Sequence, residues 1–112
     1  MAESLDLTNK IKLQKRRQVQ GSANRENIIS EKTVYAKVGG ISLSFAARLQ
    51  EMGLDAQRIV HMWRDEFEKD DYTHVVFGSK VYRIIQAGNS INENFIKLLL
   101  TENGLYYGQG VF

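Results

Sequence analysis

His74-Val75-Val76-Phe77-Gly78-Ser79-Lys80-Val81-Tyr82-Arg83-Ile84-Ile85 consists of two apolar runs hinged on Gly78-Ser79. A two-residue turn with glycine first suits a type II′ hairpin, because glycine takes up the positive φ of that position without a Cβ clash. The stretch therefore predicts two antiparallel strands. Thr33-Val34-Tyr35-Ala36-Lys37-Val38 reads as another strand, with Val34, Ala36 and Val38 on one face, ended by Gly39-Gly40. Phe95-Ile96-Lys97-Leu98-Leu99-Leu100 is a further apolar strand. Between them the period changes. Phe45, Leu49 and Met52 recur at spacings of four and three, one stripe of a short helix over residues 42–52. Ser42 or Ser44 can cap it and Gly53 can end it. A helix this short does not stand alone, so Phe45 and Leu49 are expected to pack on a sheet.

The rest of the chain fills in around these elements. Lys10 to Lys15 alternates charged and apolar residues, the period of a strand with one wet face, and the alternation fades at Arg16-Arg17. Residues 20–27 have turn-forming composition and no period, which predicts a flexible loop. Gln57 to Phe67 returns to strand character, and Asp65 to Asp71 is an acidic loop. Ala87-Gly88-Asn89-Ser90 and Asn103-Gly104 carry turn signals. About six short strands and one helix, with no internal repeat, predict a mainly β domain, a small barrel or rolled antiparallel sheet, and too few crossover helices for a βαβ fold.

Composition bounds the function. The 112 residues are 43% hydrophobic and 25% charged, as expected of one globular domain. There is no cysteine, so disulfides, thiolate metal sites and a cysteine nucleophile are excluded. No apolar run reaches the roughly 20 residues of a membrane span, and no signal-peptide core is visible, so intracellular synthesis with no membrane partner is the expectation. The net charge of +2 is unevenly spread. Residues 1–40 carry eight Lys/Arg against four Asp/Glu, and residues 41–112 carry seven against nine. Such asymmetry can orient a molecule in an assembly or attract a polyanion.

The chemistry-bearing candidates each have a plain alternative. His61 and His74 lie on strands expected to be neighbours, yet no third ligand accompanies them, and sheet-face histidines are the simpler reading. The acidic residues Asp65, Glu66, Glu68, Asp70 and Asp71 lack the order of a calcium loop. They are a solvated loop or a docking surface for a basic partner. Lys10, Lys12, Lys15, Arg16 and Arg17 form a candidate basic face able to follow phosphates, though their strand carries no aromatic for base stacking, with Tyr35 and Tyr82 as candidates on neighbouring strands, and a solvated outer face is the simpler reading. Glycines and serines fit neither a P-loop, a dinucleotide fingerprint nor a nucleophile elbow, so nothing argues for an enzyme, a metal or a cofactor. The tail of residues 103–112 holds Tyr106, Tyr107 and Phe112 among glycines. These aromatics either close the domain's own core or anchor in a neighbouring subunit.

The succession Tyr35-Ala36-Lys37-Val38, helix Ser44-Phe45-Ala46-Ala47-Arg48-Leu49, hairpin Val75 to Ile84 and strand Phe95 to Glu102 resembles the head-closure, or head–tail joining, proteins of long-tailed bacteriophages. Their hairpin has the form Val-Val-Tyr-x-Gly-x-Val-Tyr-x-Ile, and here the glycine sits one place earlier. The resemblance covers roughly residues 5–102. It implies a β-barrel decorated with a short helix. It also implies assembly, in the virion, of a ring beneath the portal and its adaptor, once DNA is packaged. Expected partners are further copies of the chain, the portal or adaptor, the tail-terminator or tail-tube protein, and packaged DNA in transient contact. Gly21, Ser22, Asn24 and Arg25 then become a candidate channel or partner loop. The acidic and aromatic residues become candidate subunit contacts. The alternatives are a small nucleic-acid-binding barrel, or a tail-terminator or adaptor at a neighbouring position.

Overall fold

A computed structural model describes residues 6–18 and 26–106. Among the described residues, six strands run in chain order: β1 (Asn9–Gln18), β2 (Glu26–Gly40), β3 (Arg58–Trp63), β4 (His74–Phe77), β5 (Lys80–Asn89) and β6 (Phe95–Tyr106). They form a closed antiparallel barrel in the order β1-β2-β3-β6-β5-β4, with β4 pairing back onto β1. Helix α1 (Leu43–Glu51) joins β2 to β3, and the single turn α2 (Arg64–Phe67) follows β3.

The hinge behaves as its residues predict. Phe77 pairs with Lys80, leaving Gly78-Ser79 as the loop, and Gly78 has φ 64°. Among the described residues no non-glycine residue has positive φ, Ser79 included, so the turn has the type II′ pattern. Residues two apart point to one side of a strand, and the inward sets meet. Ile11 and Leu13, Val34 and Ala36, Val60 and Met62, Val75, Tyr82, and Ile96, Leu98 and Leu100 form the barrel core. Full burial of an aliphatic side chain of this size is worth about 1.5–3 kcal/mol each.

β6 is buried on both faces. Leu98 and Leu100 point inward, while Phe95 and Leu99 alternate with them on the outside and are nearly as inaccessible. Leu49 of α1 is buried beside Leu99, and Trp63 stacks on Phe95 with ring centroids 4.3 Å apart. The helix is held as its sequence suggests. The Ser42 hydroxyl accepts from the Phe45 amide at 3.3 Å. Gly53, at φ 80°, donates to the Gln50 carbonyl, and Leu54 donates to that of Leu49, a Schellman ending.

Four expectations are corrected. The alternation of β1 does not end at Arg16; a bulge between Lys15 and Arg16 shifts its phase, and pairing continues to Gln18. The strand from residue 57 stops at Trp63, where Arg64 turns the chain into α2, so there are two short helices and not one. Arg64 binds the Glu93 carbonyl and the Asn89 side chain, tying this corner to the loop after β5. Ala87, Gly88 and Asn89 remain in β5, and the chain turns after them, where the Asn92 carbonyl and side chain accept from Phe95 and Asn94. Asn103-Gly104 makes no turn. Val81 pairs with Leu105 and Tyr82 with Glu102, so residues 103 and 104 are a bulge within β6. An Asn-Gly hairpin needs its two flanks to pair with each other; here the second flank finds β5 instead.

The Gly78→Ala variant should lose about 1–3 kcal/mol, since no atom crowds the added Cβ and the cost is that of holding alanine at positive φ. Guanidinium unfolding at an unchanged m-value measures it.

Candidate interaction surfaces

The segment from Arg64 to Thr73 closes one end of the barrel. Phe67 and Tyr72, with ring centroids 6.2 Å apart, pack against the core. That docking carries the acidic residues onto cations of β1 and β2. Glu66 binds Lys32 and Lys69. Asp70 accepts from Lys15 at 3.2 Å and from the Ser30 hydroxyl at 2.9 Å. Glu68 pairs with Arg64 one helical turn away. Asp65 and Asp71 are exposed. The Lys32 ammonium holds the Glu66 carboxyl below its ordinary value. The Asp71 amide, Ser30 and Lys15 do the same for Asp70. Opposite charges that complement each other along the chain thus meet within one molecule.

Beside this end lies a buried polar cluster that the sequence alone does not reveal. Gln14 donates to Glu31 and accepts from Arg16 Nε at 2.8 Å. Arg16 is only 8% exposed. Its amide donates to the Thr73 hydroxyl, and the Thr73 amide donates to the Gln14 carbonyl. The same hydroxyl lies 2.7 Å from Nδ1 of His74, which is 4% exposed. Burial, with Arg16 and Arg83 nearby, pushes the His74 pKa down from 6.5 to about 4. The two histidines are not neighbours. β3 and β4 are separated by β2 and β1 on one side and by β6 and β5 on the other. His61 pairs laterally with Lys37 and Lys97, and its Nδ1 meets the Ser90 hydroxyl. Its pKa is lowered by partial burial and by those two lysines. Among the described residues, no group of three or more His, Asp or Glu side chains is placed to hold a metal ion.

The five N-terminal cations do not share a surface. Lys10 and Arg17 are exposed, Lys12 pairs with Glu31, Lys15 is at the closed end, and Arg16 is buried. Lys10 stands opposite Tyr35 of β2, which is 58% exposed. Tyr82 belongs to the core. Tyr35 and Trp63, the latter 48% exposed, flank an open groove of about 470 Å³ with Leu7, Thr33, Val34 and Glu66. Tyr35 was legible as an outward residue from the phase of Val34, Ala36 and Val38. Trp63 was not, because its strand was expected to run on. Gly21, Ser22, Asn24, Arg25, Tyr107 and Phe112 lie outside the described residues, and Tyr106 ends β6.

The neutral His74 makes the fold acid-sensitive. Its folded pKa lies below its unfolded value, so the unfolded chain binds the extra proton first. Stability from this group is complete above pH 6.5 and is lost as pH falls toward 4. The loss should reach at most about 3 kcal/mol, and a His74→Gln variant that folds should flatten it. Denaturant midpoints across that range measure the effect. In comparisons with protein-family models and with curated proteins, the sequence matches none.

Proposed function

We propose that this chain is a structural virion protein: a connector-ring subunit, beneath the portal and its adaptor, that closes the DNA-filled phage head and offers the tail its docking surface. The observation that carries this reading is the order of elements within a closed barrel. A strand ending at Gly40, a short capped helix, a further strand, a tight hairpin and a closing apolar strand follow one another, the succession on which the resemblance rests, and they do so in a barrel that carries short helices. A ring subunit also needs two different surfaces that meet head to tail. The exposed Tyr35–Trp63 groove is one candidate, and the C-terminal aromatics are another. The acidic residues are weaker candidates than their charge alone implies, because Glu66, Glu68 and Asp70 are already paired.

Particles assembled without this protein should package DNA and then leak it, measured as nuclease-accessible genome in otherwise filled heads. Stable, tail-competent heads lacking the protein would overturn the reading.

One observation favours a second reading, a barrel that binds nucleic acid directly. Tyr35 is exposed beside Lys10 and shares the outer face of β2 with Lys37, the mixture of ring and cation on which bases stack. Fluorescence anisotropy with single-stranded DNA separates the two. A connector subunit should bind weakly, whereas affinity falling about a thousandfold between 50 and 200 mM salt would establish the second reading.

A further inference from the structure

β2 is much longer than the strand beside it. It pairs with β1 from Glu26 to Ala36, but with β3 only from Lys37 to Gly40. β3 leaves the sheet at Trp63 and turns into α2. The second edge of β2 over residues 27–36 therefore has no strand neighbour among the described residues. An edge of this length exposes backbone donors and acceptors and is a template for strand addition. It also exposes Ile28, Ile29 and Tyr35. The groove lies at the inner end of this edge. Thr33, Val34 and Tyr35 form one side, and Trp63 and Glu66 the other. Strand edge and aromatic walls together make a site for an extended segment, bound through its backbone and anchored by apolar side chains.

The end of this chain has that chemistry. Tyr107-Gly108-Gln109-Gly110-Val111-Phe112 alternates glycine with larger residues up to Val111 and ends on an aromatic. Glycines permit close approach to a flanking ring, and alternation suits a strand. Reach decides whose groove it enters. β6 ends at Tyr106 opposite Lys80. Through β3 the way to β2 is only two strand spacings, but Trp63 lies beside Phe95, and Tyr106 is eleven residues, about 36 Å of strand, further along β6. The other way, through β5, β4 and β1, crosses four strand spacings. That arc is about 19 Å at roughly 4.8 Å per spacing. Six residues span at most about 20 Å, so the segment would be spent before it could fill the groove of its own molecule.

We propose that the groove between the free edge of β2 and Trp63 receives residues 107–112 of a second copy of this chain as an added strand. The contact is heterologous, with groove on one copy and tail on the next, so it closes a ring or propagates. This deepens the connector reading and rests on it for the head-to-tail arrangement.

The chain has no cysteine, so disulfide trapping is free of background. Full-length Thr33→Cys protein carrying an affinity tag is mixed with untagged, full-length Val111→Cys protein and oxidised. Disulfide-linked pairs are expected, and the chain carrying both substitutions should give intermolecular ladders. Adding Tyr35→Ala to the groove copy, with folding checked by circular dichroism, should cut the yield about tenfold. A disulfide within one chain that persists on dilution would show the tail in its own groove and overturn the proposal. So would a yield no higher than that of Glu51→Cys with Val111→Cys, or protection of the groove cysteine by single-stranded DNA instead of by a second copy. Rings seen by electron microscopy without the Thr33–Val111 link overturn this inference and leave the connector reading standing. The link in a protein that filled heads do not need overturns the connector reading alone.

Discussion

The seam between β1 and β4 consists of three residue pairs: Lys12 with Val76, Leu13 with Val75, and Gln14 with His74. Everything else about the barrel depends on it, because without it six strands would be an open sheet with two bare edges. Two inward residues of the seam, Leu13 and Val75, are fully buried. Their burial supplies the hydrophobic part of the closure. The polar part comes from the next residues along. Thr73 spans from β4 to β1 with its amide and its hydroxyl, and its carbonyl accepts from Ile84 of β5. A short seam is thereby extended by part-buried side-chain and backbone hydrogen bonds, each of which counts for more than it would in open water.

The same seam settles the state of His74 and Arg16. Both end up among groups that desolvate them, and both are held by hydrogen bonds to Thr73, Arg16 through its amide and His74 through its ring. A buried histidine beside two arginines stays neutral, so the closure of the barrel and the protonation of this ring oppose one another. The segment from Arg64 to Thr73 lies over this end and uses its carboxylates on Lys15 and Lys32. Exposed ion pairs contribute little stability, so it is the packing of Phe67 and Tyr72 on the core that holds the segment and brings these charges together.

Barrel closure removes sheet edges only where neighbouring strands are equally long. β3 has six residues between neighbours of fifteen and twelve, so the cylinder is closed while β2 keeps an edge without a strand neighbour among the described residues. The groove at Tyr35 and Trp63 is a consequence of that mismatch. In a subunit that works alone, such an edge is a liability; in the proposed ring it would be a place to receive the next subunit.

Much of this architecture was legible in the chain. Alternation in Thr33–Val38 sorted core from surface, Gly78 marked the hairpin by its freedom at positive φ, and Ser42 with Gly53 bracketed the helix. These are local matters, set by the period of a strand, the sterics of a turn and the unpaired amides at a helix end. What only the tertiary structure decided depends on partners remote in sequence. Whether Asn103-Gly104 turned or bulged depended on β5 offering Val81 a partner at Leu105. Whether Asp70 faced a partner molecule or Lys15 depended on where Phe67 and Tyr72 docked. Charge and turn propensity are written residue by residue, but the neighbour that satisfies each hydrogen bond or charge is chosen only when the strands take their places round the barrel.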